Sequence, residues 1–191
     1  MNGEWKLAPL RSAFCALAFF LFAESISAQA KANLLKGKQW WLAGAGVSNA
    51  DYQSYMVGGT FSKRSDYIIT SYRMYFSQEL VAGPHDSCTV SKSRNLEAGL
   101  LWGDALAGKK GYLSATAGMG LNHRWYCDDG DPGEFRKVTR LTIGVPIQLD
   151  AGINLSGNMK LGIAVVANWN FLEPYVGSLL TLSWWSDAKR N

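Results

Sequence analysis

The chain has 191 residues, enough for one domain with a sizeable core, and carries a formal net charge of +4. Charged residues make up 18%, below the ~25% usual for soluble domains, while aromatics reach 13% and glycine numbers 20. That balance argues against a cytosolic enzyme. With no basic run longer than Lys63-Arg64 or Lys109-Lys110, it also offers no stripe on which nucleic acid would lie.

Residues 1–30 read as a signal peptide and 31–191 as the mature chain. Lys6 and Arg11 form a basic lead, and Ser12–Ala23 is an apolar core that Glu24 ends. Ala28-Gln29-Ala30 then supplies the small residues a processing site needs. The run is shorter than the ~20 apolar residues of a spanning helix. Phe14 before Cys15 argues against a lipoprotein signal, which wants a small residue there.

Beyond it the grammar is alternation, broken by clusters of Gly, Asn, Asp, Ser and Lys. Trp40–Ser48 is a first predicted strand, and Tyr52–Ser62 a second, ended by Lys63–Asp66. Tyr67–Ser77 sets Tyr72, Met74 and Phe76 against Ser71, Arg73 and Tyr75. A long connection, Gln78–Ser93, leads to Arg94–Asp104, where Glu97 faces away from Leu96, Ala98 and Leu100. Gly111–Tyr126 is the clearest case: Leu113, Ala115, Ala117, Met119 and Leu121 oppose Ser114, Thr116, Gly118, Gly120, Asn122 and Arg124. The acidic connection Cys127–Arg136 precedes Lys137–Ile153, whose Ile143, Val145 and Ile147 face away from Arg140, Gln148 and Asp150. Met159–Asn170, with Lys160 on its polar face, and Tyr175–Trp185 complete the set.

Strands of this length suit an all-β fold, an eight-stranded antiparallel up-and-down transmembrane β-barrel. The connections after the third and fifth strands are long, and those after the even strands are short turns, as in outer-membrane barrels. Two cysteines survive cleavage, Cys88 and Cys127, and alternating hairpins put both on one rim, which predicts a disulfide. Aromatics cluster at strand ends, with Trp40, Trp41, Phe61, Tyr112, Trp184 and Trp185 at one boundary. Phe76, Trp125, Trp169 and Tyr175 lie at the other, and two membrane girdles are the expectation. Pro146 falls inside a strand, where it cannot donate to a ladder; a bulge, or extension of the strand beyond the membrane, would accommodate it.

The alternating GYLSATAGMGLNHRW, the LTIGVPIQLDAGINL run with NMKLGIAVVANWNF after it, and the closing YVGSLLTLSWW carry a resemblance. The layout is similar to small eight-stranded bacterial outer-membrane barrels of the OmpX and OmpA-barrel type, many described only as outer-membrane β-barrel proteins. A second resemblance, through LEAGLLWGDAL, is to the outer-membrane subunit TraO of conjugative-transfer machines. Both imply residence in the outer membrane with lipid as the immediate partner.

Chemistry is sparse. His123 shares parity with the apolar face, and Trp125 stands two residues on where an outer-leaflet acyl hydrolase would want a serine. His85, Asp86 and Ser87 are adjacent in one loop and cannot converge as a triad. Asp128–Glu134 packs four carboxylates, but their spacing is not that of an EF-hand, so a solvated loop is expected, with a divalent site as its alternative. No enzyme, cofactor or metal is expected. The inward set Arg73, Glu97, Asn122, Arg124, Arg140, Gln148, Asp150 and Lys160 is expected to pair within the lumen, because unpaired buried charge is costly. A structural or surface-interaction role through the outer loops follows. The alternatives are a narrow pore or small-ligand carrier, an outer-leaflet lipid-modifying enzyme, and a TraO-like subunit. A secreted lipocalin-like barrel would alternate too, but with a more charged exterior than the Ser, Thr, Gly and Asn found here.

Overall fold

A sheet whose strands each carry one apolar and one small-polar face exposes two unpaired edges unless it closes on itself. The computed structural model shows that closure. It describes residues 37–49, 54–65, 68–79, 93–108, 110–129, 135–171 and 174–187. The strands are β1 (Lys38–Ser48), β2 (Ser54–Arg64), β3 (Ile69–Glu79), β4 (Arg94–Ala107), β5 (Gly111–Asp129), β6 (Phe135–Ser156), β7 (Met159–Asn170) and β8 (Tyr175–Asp187). They follow one another around a closed barrel, every pair antiparallel, and β1 pairs with β8 from Lys38↔Asp187 to Ser48↔Gly177.

Several strands outrun the sequence pattern. β4 continues to Ala107 because Tyr112 of β5 is there to pair with it. β5 and β6 stay paired out to Asp129↔Phe135, whereas β4 begins opposite Trp125 and β7 ends opposite Gly144. The β5–β6 ribbon therefore projects past both neighbours. A ladder partner holds a polar residue in a strand whatever its hydropathy.

Facing follows parity. Met119 and Ile143 are each 63% exposed, and Leu161, Ile163 and Leu180 also point out, whereas Thr60, Ser62, Ser71, Ser114 and Gln148 are buried inside. An apolar exterior this continuous is far beyond what water tolerates, and lipid is the solvent that suits it.

Two expectations are corrected by where side chains point. Trp40, Tyr112 and Trp185 face inward rather than joining a lipid girdle, and with Ile69 and Ala105 they form a buried cluster. Tyr175 is likewise internal, in a second cluster with Met56, Tyr75, Ala164, Val166 and Leu179. Trp41, Trp102, Trp184, Trp169 and Phe171 do face outward. Pro146 is not a bulge. The β5–β6 ladder skips its level between Ala117↔Ile147 and Gly120↔Gly144 and resumes in the same register. The ring is buried against Gly99 and Gly120, where a Cβ would come within 3.2 and 3.3 Å of it. Those glycines, themselves cross-strand partners, make the space the proline fills.

Candidate functional site

Among the described residues the polar chemistry gathers in the lumen, and it is organised around Arg73. Arg73, on β3, is 2% exposed and Glu97, on β4, 1%. Arg73 Nε donates to Glu97 Oε1 at 2.7 Å, and a second guanidinium nitrogen completes the ion pair. The same group donates across the interior to the carbonyls of Ile147 on β6 (2.9 Å) and Ala167 on β7 (3.1 Å). Glu97 Oε2 accepts from Asn168 Nδ2 and from the Tyr175 hydroxyl of β8. A planar guanidinium with five donors suits such bridging, and a carboxylate accepting several bonds is fixed in return.

Below it, towards the short turns, Gln148 is the second hub. Its Oε1 accepts from Thr60 (3.2 Å) and Tyr75 (3.3 Å), and its Nε2 donates to both Asp150 oxygens at 3.0 Å. Ser114 Oγ donates to Asp150 at 2.9 Å. At the short-turn end Trp40 stacks on Trp185 with centroids 4.4 Å apart, and Tyr112 meets Trp185 edge-on. Lys160 Nζ lies 4.4 Å from the Trp185 ring centre and donates to Asn154 Oδ1 at 2.6 Å. Hydrogen bonds from β2, β3, β4, β5, β6, β7 and β8 thus cross or line one interior, and an aromatic plug closes its lower end.

The inward set therefore separates by height. Arg73, Glu97, Gln148, Asp150 and Lys160 are buried and engaged as described, and Asn122 is buried opposite Glu97. Arg124 and Arg140 share their parity but lie higher, as cross-strand partners on the ribbon. Arg140 is exposed, so its assignment to the lumen interior is corrected. Both guanidinium groups instead lie over the Tyr126 ring, 5.1 and 5.4 Å from its centre. At that level β7 has ended, while Asn95 of β4 still stands opposite Arg124.

Sequence reasoning passed over Tyr75 and Tyr175 as network members and missed Arg64. Arg64 is buried and donates to Asp104 Oδ1 and the Ala105 carbonyl, both at 2.7 Å. Its parity with Ser62 was the available signal. His123 packs on Trp125 with ring centres 4.0 Å apart, on the outward face. Cys88, His85 and the acidic side chains of 128–134 lie outside the described residues, and Cys127 is described only in its backbone, opposite Lys137.

These features define a class: a transmembrane β-barrel with a laced, plugged lumen and a projecting β5–β6 hairpin. Its fold is that of small eight-stranded outer-membrane proteins. Ail, the attachment invasion locus protein of Yersinia pestis, solved with the heparin analogue sucrose octasulfate, matches with a TM-score of 0.54 at 9% identity over 78% of this chain and 98% of that one. The N-terminal β-barrel domain of Pseudomonas aeruginosa OprF matches with 0.50 at 10% over 79% and 98%. Neisserial surface protein A matches with 0.51 at 11% over 78% and 96%. No protein-family model and no curated protein sequence matches the chain.

Proposed function

We propose that this is an exported, non-enzymatic outer-membrane barrel that acts structurally and by surface contact, through the end bearing the long connections. The observation that carries this reading is the interior: Arg73 bonds to three other strands across it, which among the described residues leaves the projecting β5–β6 ribbon as a surface for contact. Outer-membrane barrels turn their long loops outward, and the chain is oriented here accordingly. The guanidinium groups of Arg124 and Arg140 over the Tyr126 ring put positive charge at the base of that ribbon, beside the acidic run 128–134, and support a polyanionic glycan as partner there.

Retention of the detergent-solubilised barrel on immobilised heparin tests this. Arg124→Gln with Arg140→Gln is expected to elute at lower salt, and removal of the acidic run 128–134 at higher salt. Equal elution of all three overturns the glycan reading. Planar bilayers test the rival pore: the folded barrel is expected to give no unitary conductance, and discrete channels would displace the structural reading.

In the same proposal residues 1–30 are removed on export and Cys88 is joined to Cys127. The 80–92 connection leaves β3 at the end where Cys127 sits, and β4 and β5 are adjacent, which supports the pairing. The exported protein is expected to have the mass of a chain beginning at Lys31 and no titratable thiol before reduction. A retained leader, or two free thiols, would show the respective assignment to be wrong.

A further inference from the structure

The barrel exterior is not evenly covered. Across β8, β1, β2, β3 and β4, outward residues form cross-strand rows that change character step by step from the short-turn end. The lowest row is polar from β8 to β3, with Ser186, Gln39, Lys63 and Thr70, and ends on β4 in Trp102. The next is aromatic: Trp184, Trp41, Phe61 and Tyr72, with Trp41 and Phe61 in ring contact at 4.5 Å. Above it the wall sinks, because Ala43, Gly59 and Ala98 follow the ring-bearing row, with Leu182 standing up beside them and Met74 between. The depression is an apolar groove of about 1290 Å³ whose rim includes Met74, Phe76, Leu100 and Met119. It exceeds the ~300–1,000 Å³ typical of pockets that enclose a drug-sized ligand. Its floor is built in, since a Cβ on Gly59 would stand 2.6 Å from the Leu42 carbonyl oxygen.

We propose that this groove seats the acyl chains of one anionic glycerophospholipid of the periplasmic leaflet, its phosphate held by Lys63 with Gln39 and Thr70 beside it. The order of the rows is the order of groups in such a lipid: charged headgroup, amphipathic glycerol level, hydrocarbon. Aromatic rings favour the middle level, and an interfacial lysine favours an anionic lipid. Lys63 is exposed at the foot of the column that runs through Phe61 and Gly59. The lining is largely apolar and the ladder satisfies the backbone, so hydrocarbon suits the groove, and a lipid chain that left the hollow empty would forfeit its dispersion contacts. The leaflet, not the site, rests on the orientation proposed above.

Native mass spectrometry tests it, on the full mature barrel released from mixed micelles of equimolar dioleoylphosphatidylglycerol and dioleoylphosphatidylcholine. One retained phosphatidylglycerol per barrel is expected. Ala43→Leu with Ala98→Leu fills the hollow and is expected to lose both lipids, whereas Ala151→Leu, outward on β6 and outside the groove, keeps them. Lys63→Gln is expected to reduce retention of phosphatidylglycerol about five-fold, to the level of phosphatidylcholine. Heat-modifiable migration confirms that each variant is folded, and Lys63→Gln, at an exposed rim position, stays informative if the filled groove misfolds. Equal retention by the filled variant, or no preference for the anionic lipid in the parent, overturns the proposal. So does a concentration-dependent dimer that Ala43→Leu abolishes, since a second copy would then be the occupant. Failure of the outer-membrane reading shows separately, in fractionation of cells.

Discussion

Replacing Glu97 by Leu is expected to cost the folded barrel about 3–5 kcal/mol, the usual penalty for removing one partner of a buried ion pair. The substitution strands the Arg73 guanidinium, 2% exposed, with only the Ile147 and Ala167 carbonyls to accept from it. It also removes the acceptor shared by Asn168 and Tyr175, and each buried donor left unsatisfied carries its own desolvation penalty. Urea unfolding in lipid vesicles, followed by tryptophan fluorescence, reads the loss. Arg73→Met together with Glu97→Leu is expected to lose markedly less than the sum of the single changes, because no charge then remains buried. An unaffected Glu97→Leu variant would mean that water fills the interior and solvates Arg73.

Met119→Arg is expected to destabilise the barrel by about 2–4 kcal/mol, and Leu141→Arg by about 0–1 kcal/mol. Both positions face outward and both are well exposed, so a soluble barrel would tolerate the two alike. In lipid they differ by depth. Met119 sits in the middle of the wall opposite Leu100, whereas Leu141 pairs with His123 on the part of β6 that rises past the end of β7. The same vesicle titration measures both, and equal costs would contradict the membrane placement.

The closed barrel and the side on which each residue stands were legible because the period of two survives in every strand. Leu113 to Leu121 against Ser114 to Asn122 needs no tertiary information to be sorted. Which inward residues meet was not legible, because that depends on shear. Arg73 reaches Ala167 across 94 positions of sequence, and no spacing rule announces the contact. The aromatics show the same limit. Trp40 and Trp41 are adjacent and equally aromatic, yet parity sends one to Trp185 inside and the other to Phe61 outside. Grouping them by strand end ignored the pleat. Pro146 was the reverse case: its ring fits because Gly99 and Gly120, far off in the chain, leave it room.

The stack of Trp40 on Trp185 joins the first strand to the last, and it bears on how the molecule is made. Successive hairpins can zip locally, but β1 has to wait for Tyr175–Asp187 before its second flank is matched. Until then both flanks of the nascent sheet invite pairing with other chains. Assembly of this protein thus carries its greatest hazard before the final thirteen-residue strand docks, and a chain truncated short of it leaves a sheet that cannot seal.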